Sequence, residues 1–267
     1  MAVESPSGLE VAVAAPILGV PIPDSENPVI AAPLGRVRLE IARSQECRAD
    51  AGDVSGEIAG FADNLLKGID AGYCVSVRSV GRHRYRGLPL YAAATVALVY
   101  WVAEAHGEHL SSHEILELAS VADPFSYDRS WHPVISSARL SSAEGRVAVY
   151  RNEEELALYG EEFIEAGYSG GLVRVEPRVS RERIGMDTYN ALVHLAGVAV
   201  LEAAVRLGEG QPLARIVGDM KPIQDGVANI VWGLGDPGGG CVWTPDMPGY
   251  FTRLCTGGSG GKGGPRT

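Results

Sequence analysis

The sequence predicts an α+β protein, and three stretches carry that reading. Residues 9–13 and 36–41 are short apolar or alternating runs, the pattern of strands. Residues 90–105 contain no Gly or Pro and are apolar on nearly every face, as a deeply buried helix would be. Beyond Leu172 a further strand-like run precedes two more helical stretches, so strands and helices recur in each half.

Taken in order, Leu9–Val13 reads as a strand, and Pro16, Pro21, Pro23, Pro28 and Pro33 punctuate a turn-rich passage after it. Arg36–Ile41 alternates polar and apolar residues, predicting a half-buried strand, and 44–56 reads as a polar loop. Ile58, Phe61, Ala62, Leu65 and Leu66 fall at helical spacing and end near Gly68. Tyr73, Val75 and Val77 alternate with polar residues and predict a strand. A basic loop over 79–89 then leads into the 90–105 helix. Gly107 suits a helix C-terminus, and Ser111 with Glu114 predicts a capping box for the next helix. Residues 123–133 read as an irregular loop with Pro124 and Pro133, 147–150 as a strand and 153–166 as an acidic helix. A strand at Leu172, helices over about 187–207 and 212–231, and a strand over Tyr250–Leu254 complete the list. No period of 20–50 residues repeats, which excludes solenoids.

The chain has 267 residues and a formal charge of −10, room for one large domain or two small ones. An acidic total argues against nucleic-acid binding. The longest apolar runs, 87–105 and 191–207, are broken by charge or glycine and are short for a membrane span. No basic region followed by an apolar stretch opens the chain, so a cytoplasmic protein is expected, with Cys47, Cys74, Cys241 and Cys255 reduced and buried.

The element order and motifs resemble the GHMP kinase superfamily of small-molecule kinases. The family's phosphate loop, P-x-x-x-G-L-G-S-S-A-A, is similar to Gly87-Leu88-Pro89-Leu90-Tyr91-Ala92-Ala93, with Pro89 in place of the second glycine and Leu90 and Tyr91 in place of two serines. Val96–Leu98, His106-Gly107 and the run from Leu110 to Ile115 resemble its next two helices. Leu254–Gly261 resembles its second glycine-rich motif. The resemblance implies a two-domain fold: an N-terminal half like domain 2 of ribosomal protein S5 (1–165) and a ferredoxin-like C-terminal half (166–267). It implies ATP and Mg²⁺ as cofactors and a small anionic substrate, and it leaves a homodimer open. Short matches at Pro6-Ser7-Gly8, Ile223-Gln224 and Gly264-Pro265 also resemble the archaeal β-ribofuranosylaminobenzene 5′-phosphate synthases of the same fold.

On that resemblance Asp128 stands where the family carries its catalytic aspartate and would accept or hold the acceptor's proton. Arg129 and His132 beside it would contact a substrate anion. Phosphate would be held by Gly87, Leu88 and Ala92 at the helix start. Arg82, Arg84 and Arg86 would compensate for the donor that Pro89 removes, and Gly257, Gly258, Ser259, Gly260 and Gly261 would close over the nucleotide. The bland reading of the same residues is a solvated basic turn, a turn aspartate and a flexible tail. His106, His109 and His113 are divided between a helix end, a turn and a cap, so no metal site is expected. Three functions follow from these readings: a phosphotransferase with a degenerate loop, a phosphoribosyl-transferring synthase, and a non-catalytic member that binds a ligand or partner.

Overall fold

A computed structural model describes residues 7–81, 85–160 and 164–256. The first sheet is organised by one long strand, β2 (Val29–Ser44), which β1 (Ser7–Leu18) pairs antiparallel along one edge. The opposite edge is shared: β4 (Cys74–Val80) takes Arg38–Ser44 and β5 (Ala148–Tyr150) takes Val29–Ala31. Short strands β3 (Arg48–Asp50) and β6 (Leu156–Leu158) extend the sheet at its ends. Pro21, Pro23 and Pro28 fall in the turn passage 19–28 between β1 and β2, as expected, whereas β1 runs through Pro16 and a register shift near Val13 accommodates Pro33 within β2.

Helices α1 (Ser55–Gly68), α2 (Gly87–Ala105), α3 (Ser112–Ala122) and α4 (His132–Glu144) accompany this sheet. The Ser111–Glu114 capping box forms as expected. Helix α2 is buried from Gly87 to Val99, so its uniform apolarity reflects neighbours all round. Helix α4 was not legible in the sequence. Its Ser136, Ser137, Ser141 and Ser142 are nonetheless buried, and small side chains let it lie close to β1, β2 and α2.

The second sheet, ordered β7-β9-β8, is antiparallel and built from β7 (Ala166–Arg174), β8 (Cys241–Pro245) and β9 (Tyr250–Thr256). It is joined by α5 (Arg181–Ile184), α6 (Met186–Gly208) and α7 (Leu213–Trp232). Gln224 of α7 binds this half to the first: its side chain accepts from Gly19 N at 2.9 Å and donates to the carbonyls of Ile17 and Trp243. One apolar cluster accordingly runs from β1, β2 and α2 into Val227, Trp232 and Phe251.

Two expectations are corrected. No acidic helix forms among the described residues of 153–166. Asn152 Oδ1 accepts from the backbone of Glu154 and Glu155, turning the chain into β6. The cysteines are not free thiols: Cys47 is bonded to Cys74, and Cys241 to Cys255 across the β8–β9 pair. Spacing gave no sign of this because the fold brings both pairs together: Cys241 and Cys255 are register partners of β8 and β9, and Cys47, in the turn between β2 and β3, meets the first residue of β4.

Candidate functional site at the start of helix α2

Three elements converge on the first turn of α2. Gly87 opens the helix with φ 58°, a left-handed conformation that glycine adopts without strain. The 3-10 turn Gly52–Val54 brings Asp53 alongside, and Asp53 Oδ1 accepts from Gly87 N at 3.1 Å. From the second half, the β8–β9 hairpin places Asp246 against the helix, where Oδ1 accepts from Leu88 N and from Met247 N, each at 2.9 Å. Pro89 has no N–H to offer. The N–H groups that a helix start presents to an anion are therefore taken by two carboxylates of the same chain.

Asp246 is fully buried, and its Oδ2 has no hydrogen-bond partner among the described residues. Burial pushes its carboxyl up to about 6, against the opposing pull of the two backbone bonds. Arg86, just before the helix, donates to Gly170 O at 2.6 Å and Thr252 Oγ1 at 3.2 Å, and its guanidinium lies 5.3 Å from the Tyr168 ring centroid. It thus fastens the start of α2 to β7 and β9. The Tyr168 phenol is pushed up by burial and by Asp246, and its hydroxyl has no hydrogen-bond partner among the described residues.

A second polar group lies deeper along α2. Arg139 of α4 and Asp123 form a fully buried ion pair. Arg139 Nε donates to Thr95 Oγ1 at 3.0 Å, and the guanidinium sits 5.5 and 5.6 Å from the rings of Phe61 and Tyr91. Asp123 Oδ1 accepts from Phe125 N at 2.8 Å. Tyr91, at a serine position of the motif, points into this cluster, and burial raises its phenol strongly.

The residues expected to act together are dispersed. Gly87, Leu88 and Arg86 meet at the helix start, whereas Ala92 is buried further along α2. Asp128 is exposed, and its Oδ1 accepts from Ser130 N at 2.9 Å and Ser130 Oγ at 2.6 Å, a turn closed on itself. Arg129 pairs with Glu26, and His132 lies edge-on to Tyr150, its imidazole lowered by burial. Arg82, Arg84, Gly257, Gly258, Ser259, Gly260 and Gly261 lie outside the described residues. Sequence reasoning passed over Asp53, Asp123 and Asp246; each sits in an ordinary turn signal, and only the fold brings them to α2. A groove of about 470 Å³ opens at the other end of α2, where Glu10, Glu104, Glu108 and Glu144 outnumber Arg36 and His109.

No protein-family model matches the sequence, and no curated protein does. Solved structures match along nearly the whole chain. The phosphomevalonate kinase of Streptococcus pneumoniae superposes with a TM-score of 0.60 at 11% identity, covering 94% of this chain and 92% of its own. The mevalonate kinase of Methanococcus jannaschii gives 0.58 at 11% identity, covering 95% and 91%. The mevalonate pyrophosphate decarboxylase of Streptococcus pyogenes gives 0.56 at 11% identity, covering 96% and 91%. The chain has the GHMP kinase fold. Other structures of this fold were solved with an ATP analogue: the S. pneumoniae kinase with phosphomevalonate and AMPPNP, and another with AMPPCP and magnesium.

Within the GHMP fold, the described residues here do not fit a nucleotide phosphate at the start of α2. A Cβ built on Gly87 would lie 1.9 Å from Asp246 Oδ1, so the carboxylate fills the space a glycine there leaves open. Among the described residues, Asp53 and Asp246 stand against Arg86 alone, a balance unfavourable for a polyanion. Among the described residues, the one cluster of three metal-ligand side chains is Cys47, Asp63 and Cys74, whose two cysteines are disulfide-bonded.

The raised Asp246 carboxyl has a measurable consequence. Its folded value, about 6, lies above the ordinary 3.8, so the folded state binds the extra proton between them. The resulting stability is fully present below about pH 4, falls as pH rises through about 6, and is absent above. The difference amounts to about 3 kcal/mol at full amplitude. Asp246→Asn keeps an acceptor for Leu88 N and Met247 N without the charge. Chemical denaturation is expected to show the variant gaining on the natural protein by about that amount from pH 4 to pH 7. A difference independent of pH would contradict this.

Proposed function

We propose that the chain is a non-catalytic GHMP-fold protein that binds a ligand or partner, its own carboxylates standing where a nucleotide phosphate would sit. The observation that carries this reading is the pair of bonds from Gly87 N to Asp53 and from Leu88 N to Asp246. Pro89, Leu90 and Tyr91 agree with it: the first removes a donor, and the other two put buried bulk where hydroxyls stand in the family motif. On this reading the division at 165/166 separates the half that supplies α2 from the hairpin-bearing half that closes its start.

The rival reading is phosphotransfer from ATP–Mg²⁺ to a small anionic acceptor with Asp128 as base. It draws on the kinases and decarboxylases that share the fold over nearly full length. It requires Asp246 to leave α2, stripping a buried carboxylate of both its backbone donors, at a cost of about 1–3 kcal/mol per group left unpaired.

Thermal denaturation with ATP–Mg²⁺ separates the two. A nucleotide present at about 100 times its Kd adds about 2.7 kcal/mol of stability, which raises the Tm of a chain this size by several degrees. No rise and no ADP release with hydroxyl-bearing or phosphorylated acceptors is the expected result. A saturating rise with acceptor-dependent ADP release would establish the rival.

A further inference from the structure

Helix α6 carries a feature that the start of α2 does not explain. One face packs inward through Tyr189, Leu192, Ala196, Val200, Ala203 and Ala204. The opposite face is also apolar: Leu195, Val198, Leu201 and Val205 are 49, 45, 53 and 58% exposed. By length and hydropathy α6 could cross a membrane, yet only 28% of its apolar window is buried, against 83% for α2.

The exposed residues follow a seven-residue period. Ala191, Val198 and Val205 are spaced by seven, with His194 and Leu195, then Glu202 beyond Leu201, between them. The order is also palindromic in chemistry about Val198. When two copies of α6 cross antiparallel on a two-fold axis at Val198, Leu195 meets Leu201, Ala191 meets Val205, and His194 meets Glu202. The only two charged or titratable groups in the stripe thus fall opposite one another, twice.

We infer that α6 is the dimerisation surface of this chain, pairing antiparallel with α6 of a second copy through the seam Ala191–Val205. A second copy fits this face better than a lipid surface does. Interfacial helices carry a basic polar face, whereas α6 offers Arg206 alone over its last turns, on a chain of charge −10. At about 1.5 Å per residue the 23-residue helix is about 34 Å long, which places one helix pair and its rim at the small end of specific interfaces. A Kd on the order of micromolar is expected.

Sedimentation velocity on the full chain, across roughly 1 to 100 µM, is the test around that Kd. The natural protein is expected to pass from monomer to dimer. Val198→Asp sets two like charges on the axis and is expected to weaken association at least about 100-fold. Val198 is exposed, and an unchanged circular dichroism spectrum checks that the variant folds. His194→Glu faces Glu202 with a like charge and should weaken the dimer about 10-fold, and His194→Glu with Glu202→His should restore it. Recovery by the double exchange is a result that loss of apolar area alone would not give. A monomer at every concentration, a dimer indifferent to Val198→Asp, a failed exchange, or Val198-dependent binding to phosphatidylglycerol vesicles would each overturn the proposal.

Discussion

Replacing Arg139 by Met is expected to destabilise the protein by about 3–5 kcal/mol, the largest effect of any single change considered. Arg139 and Asp123 are both fully buried, so the substitution leaves a carboxylate in the core without its counter-charge. The methionine fills much of the vacated space beside Phe61 and Tyr91, which keeps the cavity contribution small. The charge can be tested apart from the packing. Asp123→Asn added to Arg139→Met retains an acceptor for Phe125 N while removing the orphaned charge, and is expected to recover most of the loss. Denaturant unfolding measures both. A single variant within about 1 kcal/mol of the natural protein would show that the pair does not hold α4 against the end of α3.

Gly87→Ala follows, with an expected loss of about 3 kcal/mol from two sources. A φ of 58° costs a side-chain-bearing residue about 1 kcal/mol. The new methyl would lie 1.9 Å from Asp246 Oδ1, so the carboxylate must move and leave Leu88 N and Met247 N unpaired. In an Asp246→Ala background, where the collision cannot occur, the same substitution is expected to cost only about 1 kcal/mol. Equal costs in the two backgrounds would mean that Asp246 does not occupy this space.

The elements legible in the sequence were those whose reason to form is local. The uniform apolarity of α2, the Ser111–Glu114 box of α3 and the alternation in β2 each announce themselves within one or two turns or a few alternations. Helix α4 did not, because buried serines are small enough to pack yet count as polar in any pattern. The acidic run at 153–166 misled because Asn152 converts helix-favouring glutamates into a turn. The glycine and the altered motif at 87–91 drew attention to the start of α2. What fills it did not follow from the motif, since Asp53 lies 34 positions away and Asp246 158. The bonds they make depend on a 3-10 turn and a hairpin tip that only the assembled fold brings there.

The first N–H groups of α2 are already taken, and those amides can be watched directly. In a nitrogen-15 resolved titration with ATP–Mg²⁺ to millimolar concentration, the amides of Gly87 and Leu88 are expected to keep their shifts, and that of Leu88 to exchange slowly with solvent. Saturating movement of both resonances, with a fast-exchanging Leu88 amide before nucleotide is added, would contradict it.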